Sequence, residues 1–170
     1  YTGDLDHFLP KSVFQLYALS VWNLIPTCKL CNQTFKGSRF IPLLNPLEAG
    51  FDADCFLNVE FHSLGQLLGK DNNFDVSWEL DPFISADTRE KIENNIQMFR
   101  LNEVYQYHKE ELRLVLKRRQ MLSSRRYVEE VKKLVGEEDL DEILLGIPEK
   151  PENLDKRILA KAKYDVVKRN

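Results

Sequence analysis

The chain has 170 residues, is 43% apolar and 30% charged, and carries a net charge of −3. That length supports one good core or a small domain with an appendage. No apolar run is long enough to span a bilayer, which excludes an inserted helix, and the acidic balance excludes a general polyanion binder. Three cysteines, two of them as Cys28-Lys29-Leu30-Cys31, are no disulfide framework and suit a reducing, cytoplasmic setting. No signal peptide is visible.

The elements run as follows. Residues 1–12 read as extended, with Leu5 and His7 alternating against Asp4 and Asp6 until Pro10 ends the run. Val13 to Trp22 fits either a short helix or a compact loop. Asn23 to Thr27 reads as a second short strand. Thr27 or Cys28 opens a short helix that stops at Gly37. Residues 41–56, with Pro42, Pro46 and Gly50, read as irregular. Leu57, Val59 and Phe61, then Phe74, Val76, Trp78 and Leu80, alternate as two strands of a hairpin turning near Gly69 to Asn73.

Helical patterning follows. Ser85 is placed to cap a helix carrying Ile92, Ile96 and Phe99, and Asn102 to cap a long helix reaching about Leu122. A third spans about Arg125 to Val135 and stops at Gly136. Asp139 to Leu145 is a short amphipathic turn or two, overlapping an acidic stretch, Glu137 to Glu142, that reads as a solvated turn. Pro151 and Asn153 open a last helix. The fold class predicted is α+β: a small ββα unit over 1–40, an irregular segment with a β-hairpin over 41–82, and a mainly helical region over 83–170.

The chemistry concentrates at the start. A phosphodiester hydrolase needs an activated water, stabilisation of phosphorane charge and help for the leaving oxygen. A neutral imidazole such as His7 can take a proton near neutrality, its unperturbed pKa being ~6.5. Asp6 and the amide oxygen of Asn32 are hard ligands that suit Mg²⁺ or Mn²⁺, which keeps several waters. In a strand Asp6 and His7 point to opposite faces, so a bulge or strand end at Phe8-Leu9-Pro10 is expected. Asn23 is placed to hold the loop that carries His7. Lys11, Lys36 and Arg39 flank the site as candidate phosphate ligands.

Fifteen residues separate His7 from Asn23 and eight separate Asn23 from Asn32, with Lys36-Gly37 after them. This Asp-His…Asn-Leu…Cys-x-x-Cys-Asn…Lys-Gly pattern resembles the HNH endonuclease motif in its His-Asn-Asn form. The resemblance implies a ββα-metal finger, His7 as general base, Asn23 as the Asn that orients the base loop, and Asp6 and Asn32 as ligands of a catalytic metal. It also implies that Cys28 and Cys31 are half of a structural Zn²⁺ site, whose second CxxC pair in many members lies upstream of the Asp-His. Structural zinc wants four ligands. The wording Leu-Asp-His-Phe-Leu-Pro-Lys-Ser, with Asn-Leu-Ile-Pro-Thr-Cys and the later Leu101-Asn102-Glu103-Val104-Tyr105, is similar to HNH proteins of Septu-type bacterial anti-phage systems. That subgroup works beside an ABC/SMC-type ATPase, which is the partner implied.

Elsewhere, residues 113–133 hold eight basic side chains against Glu129 and Glu130. Arg118, Arg119, Arg125 and Arg126 are candidate nucleic-acid ligands, against the plainer reading of a solvated helix face. Trp22 and Trp78 are expected in the core, Cys55 as a small buried hydrophobe, and His62 and His108 as surface or packing residues. The function expected is metal-dependent cleavage of DNA. The alternatives are RNA cleavage by the same site and a non-catalytic ββα finger used for docking.

Overall fold

A computed structural model describes residues 3–136, 140–148, 153–154 and 159–169. Among the described residues, helices and two small antiparallel two-stranded sheets make the fold α+β. Among the described residues no helix is long and apolar enough to cross a membrane. The chain divides into two units: Tyr1–Cys55 with Leu80–Asn102, and Phe56–Glu79 with Glu103–Asn170. This differs from the division at 40 and 82, because the second sheet groups with the later helices while the segment after it groups with the N-terminal part.

In the first unit, β1 (Asp4–His7) and β2 (Leu24–Thr27) pair antiparallel, with Asp4 opposite Thr27 and His7 opposite Leu24. Pro26 is tolerated because a two-stranded ribbon leaves its missing N–H on an edge. Residues 13–23 form a compact loop with single 3₁₀ turns at Gln15–Tyr17 and Val21–Asn23. A π-helix follows at Leu30–Lys36 and ends at Gly37, whose φ of 55° suits glycine and whose N–H bonds Asn32 O at 2.7 Å. Residues 41–54 are irregular. The helix α2 (Ala86–Met98), capped by Ser85 as predicted, holds them: Asn94 donates to Pro42 O at 2.8 Å, and Asn95 Oδ1 accepts Leu44 N–H at 3.2 Å.

The second sheet, whose strands lie in the second unit apart from the end residues Cys55 and Leu80, pairs β3 (Cys55–Glu60) with β4 (Asp75–Leu80), but no tight hairpin joins them. Residues 61–74 carry a helical turn, α1 (Leu64–Leu67), capped by Ser63. The predicted long helix is two: α3 (Leu101–Gln106) and α4 (Lys109–Leu122), with Asn102 inside α3 rather than capping it. The break at Tyr107-His108 lets Gln106 donate to Val76 O at 2.8 Å and sets Tyr105 edge-on to Trp78 at 5.0 Å. The next helix, α5 (Arg125–Val135), ends at Gly136 as predicted. A short π-helix, Asp141–Leu145, and α6 (Ala160–Lys168) complete the unit. Val115, Leu145, Ile147 and Val167 form a buried cluster against which Leu122 and Tyr164 pack. Asp165, fully buried on α6, ties that helix to β3 by accepting Leu57 N–H at 2.9 Å and pairs with Lys161 at 2.7 Å.

The last helix expected from Pro151 is described only from Ala160; Pro151 lies outside the described residues, as do Glu137, Glu138 and Asp139 of the acidic stretch.

Candidate active site in the first unit

The site begins where β1 ends. Pairing along Asp4–His7 is one-to-one, without a bulge, and the chain then bends through Phe8-Leu9. Asn23 holds that bend. Its main-chain carbonyl accepts Phe8 N–H at 2.9 Å, and its side-chain oxygen accepts Leu9 N–H at 2.7 Å. Its Nδ2 donates to the carbonyls of Leu9 and Tyr17, each at 3.1 Å. At 4% exposure, these bonds replace the water that the amide gives up.

His7 Nε2 lies 3.0 Å from the carbonyl oxygen of Ala18, in the loop that Asn23 fastens. A carbonyl only accepts, so Nε2 carries the proton and Nδ1 is the basic nitrogen of the neutral ring. Asp6, His7 and Asn32 line one pocket of about 370 Å³, with Lys11, Gly37 and Ser38 also in its wall. The strand end, the helix and the loop therefore bring the predicted trio to one cavity, and Lys11 joins them.

Lys36 does not. It is 2% exposed, and its ammonium donates to Asp6 Oδ1 at 3.0 Å and to His7 O at 2.6 Å. A phosphate cannot reach a cation held there; Lys36 is the internal counter-ion of Asp6, which corrects its reading as a phosphate ligand. A second cavity of about 180 Å³, walled by Phe8, Ile25, Leu43, Leu44 and Phe99, abuts Asp6 and Lys36, so the pair meets apolar surroundings there. Arg39 is exposed and turned onto the helix end, donating to Lys36 O and Thr34 O at 3.3 Å. Trp22, expected in the core, is 77% exposed and lines a cleft of about 330 Å³ with Tyr17, Asn45 and Glu48.

Asp6 and Asn32 fit a hard divalent cation. One Asp6 oxygen is engaged by Lys36, leaving the other, and Asn32 uses its nitrogen toward Asp4, leaving its amide oxygen. The donors present do not fit a structural zinc. Among the described residues no three His, Cys, Asp or Glu side chains gather to hold a metal. Cys55 is fully buried, and His62 engages Asp75 at 2.9 Å. Cys28 and Cys31 instead act on each other. The Cys31 N–H lies 3.4 Å from Cys28 Sγ, and this bond with that of the Cys31 thiol holds Cys28 below the ordinary thiol value. Burial, then the Cys28 sulfur, pushes Cys31 up to about 11.

Of the basic residues in the second unit, Arg125 pairs with Glu129 at 3.1 Å, Lys133 with Glu130 at 3.0 Å, and Arg118 donates to Leu144 O at 3.3 Å. Arg126 is exposed and Arg119 half-buried. Part of the local positive excess is thus neutralised in place.

Sequence reasoning missed three features around the pocket: the Ala18 carbonyl against His7, the burial of Lys36, and the contact of Asp4 with Asn32. Only Asp4 carried a signal, since strand alternation puts it on the face of Asp6. No family model matches the chain, and no curated protein or solved structure is detectably similar to it.

Proposed function

We propose that the chain is a metal-dependent endonuclease of the HNH type, cleaving DNA through a ββα-metal finger formed by β1, β2 and the π-helix. The observation that carries the reading is the placement of His7: its Nε2–H is anchored on the Ala18 carbonyl, in a pocket it shares with Asp6 and Asn32. In this reading Nδ1 removes the proton from the attacking water. The Ala18 carbonyl fixes the tautomer and stabilises the imidazolium that forms. Asn23 keeps the loop, and with it the carbonyl, in place. Lys36 holds Asp6 at the strand end, and Lys11 attracts the phosphate at the pocket wall. A divalent Mg²⁺ or Mn²⁺ held by Asp6 and Asn32 would supply charge stabilisation at the phosphoryl oxygens.

The resemblance to Septu-type nucleases extends the proposal to an anti-phage complex with an ABC/SMC-type ATPase. An acidic chain whose basic patch is partly self-paired gains grip on DNA from such a partner. The test is conversion of supercoiled plasmid in Mn²⁺, with a matched RNA alongside. The expected result is nicking that EDTA and Asp6→Ala both abolish. Equal conversion by Asp6→Ala overturns the proposal, and preferential cleavage of the RNA reassigns the substrate.

A further inference from the structure

Asp4 is outside the wall of the pocket that Asp6, His7 and Asn32 line, yet it contacts Asn32, and neither the motif nor the proposed chemistry uses it. Strand alternation puts Asp4 on the same face of β1 as Asp6. Its Oδ2 receives two side-chain amides from consecutive residues of the π-helix: Asn32 Nδ2 at 3.4 Å and Gln33 Nε2 at 3.1 Å. A carboxylate only accepts, so it draws the nitrogen end of each amide. An asparagine amide has one end that can ligate a cation and one end that repels it. With Nδ2 drawn to Asp4, the ligating end, Oδ1, is turned away from Asp4, and Asn32 itself lines the pocket with Asp6 and His7.

We infer that Asp4 is a positioning residue that selects the orientation of the Asn32 amide, so that Oδ1 rather than Nδ2 is offered to a divalent cation. The inference rests on the metal reading of Asp6 and Asn32 given above. Gln33 is the second donor that keeps the Asp4 carboxylate in place. Orientation of a ligand by a partner outside the coordination shell is a general source of metal affinity, worth 10–100-fold in typical sites. Asp4 also attracts any nearby cation through its charge, and the test has to separate the two effects.

Replacing Asn32 with aspartate separates them. A carboxylate has oxygen at both ends and needs no orienting partner. Mn²⁺ binding to the full chain, read from the paramagnetic signal of the free ion, is compared in wild type, Asp4→Ala, Asn32→Asp and the double variant. Asp4→Ala is expected to weaken binding about 10-fold in the wild-type background. In the Asn32→Asp background the same change is expected to weaken it at most about threefold, the residue of through-space attraction. Equal loss in both backgrounds overturns the inference, since Asp4 would then act by charge alone; so does no loss in the wild-type background. If Asp4→Ala does not fold, Asp4→Leu, close in shape and without any acceptor for the Asn32 amide, is carried through the same cycle with the same expectation. Failure of the underlying reading looks different: wild type then binds no Mn²⁺, or Asp6→Ala binds as tightly as wild type, before Asp4 is altered at all.

Discussion

The side-chain oxygen of Asn23 accepts the backbone N–H of Leu9 at 2.7 Å across fourteen residues of chain. With the two bonds that Asn23 Nδ2 donates to Leu9 O and Tyr17 O, this closes the loop that presents Ala18 to His7. Asn23→Ala is expected to leave buried N–H and C=O groups unmatched and to cost about 3 kcal/mol. Asn23→Asp keeps the acceptor for Leu9 but sets a carboxylate against two carbonyls. Both variants should lower the denaturation midpoint and reduce turnover together. Loss of turnover at an unchanged midpoint would show that Asn23 does not act through the loop.

Lys36 and Lys11 should part company. Lys36→Met leaves the Asp6 carboxylate, at 12% side-chain exposure, without its counter-ion, and is expected to destabilise by about 3–5 kcal/mol. Lys11 is exposed, so Lys11→Met is expected to stay within about 0.5 kcal/mol of wild type while raising KM for a phosphodiester. Chemical denaturation of the two variants decides it. Equal stability would return Lys36 to the surface role that its residue type suggests.

The CxxC pair gives a pH dependence. Thiolate is the nucleophile toward iodoacetamide. Cys28 lies below the ordinary thiol value of 9.0, so its labelling rate rises at lower pH than that of a free thiol. Cys31, pushed up to about 11, stays protonated through the same range. Mass spectrometry of protein labelled near neutral pH should find Cys28 modified first, Cys31 slowly, and the buried Cys55 only after denaturation. Cys31 labelled first would reverse the assignment.

Gly69 tests the packing of the second unit. Its φ is 65°, and a Cβ there would lie 2.6 Å from Lys117 N and 2.7 Å from Arg113 O, both backbone atoms of α4. Gly69→Ala therefore forces the helix away and is expected to cost at least about 2 kcal/mol, visible as a fall in thermal midpoint of several degrees. An unchanged midpoint would mean that α4 does not approach residue 69 this closely.

Alternation at Asp4 to His7, the Ser85 cap and the Gly37 and Gly136 stops all found their elements, because each acts through its own backbone. The spacing of Asp6, His7, Asn23 and Asn32 located one pocket and its brace. What stayed hidden was tertiary. A main-chain acceptor such as Ala18 O has no residue signature. Lysine is so rarely buried that Lys36 read as a surface cation. Gly69 read as a turn, yet helix α4 sits against it. The helix break at Tyr107-His108 carries no glycine or proline; contacts of Tyr105 and Gln106 with β4 set it.

The central claim is that His7 is the base of a hydrolytic site, and it is tested most directly with bis(p-nitrophenyl) phosphate, a diester small enough to need no nucleic-acid grip. In Mn²⁺, the wild-type chain is predicted to release p-nitrophenol. His7→Gln retains a side-chain N–H for the Ala18 carbonyl and lacks the base; it is predicted to keep the wild-type denaturation midpoint and to lose activity by about 10²–10⁴-fold. Hydrolysis by a folded His7→Gln chain at the wild-type rate, or no metal-dependent hydrolysis by the wild type, would contradict the account.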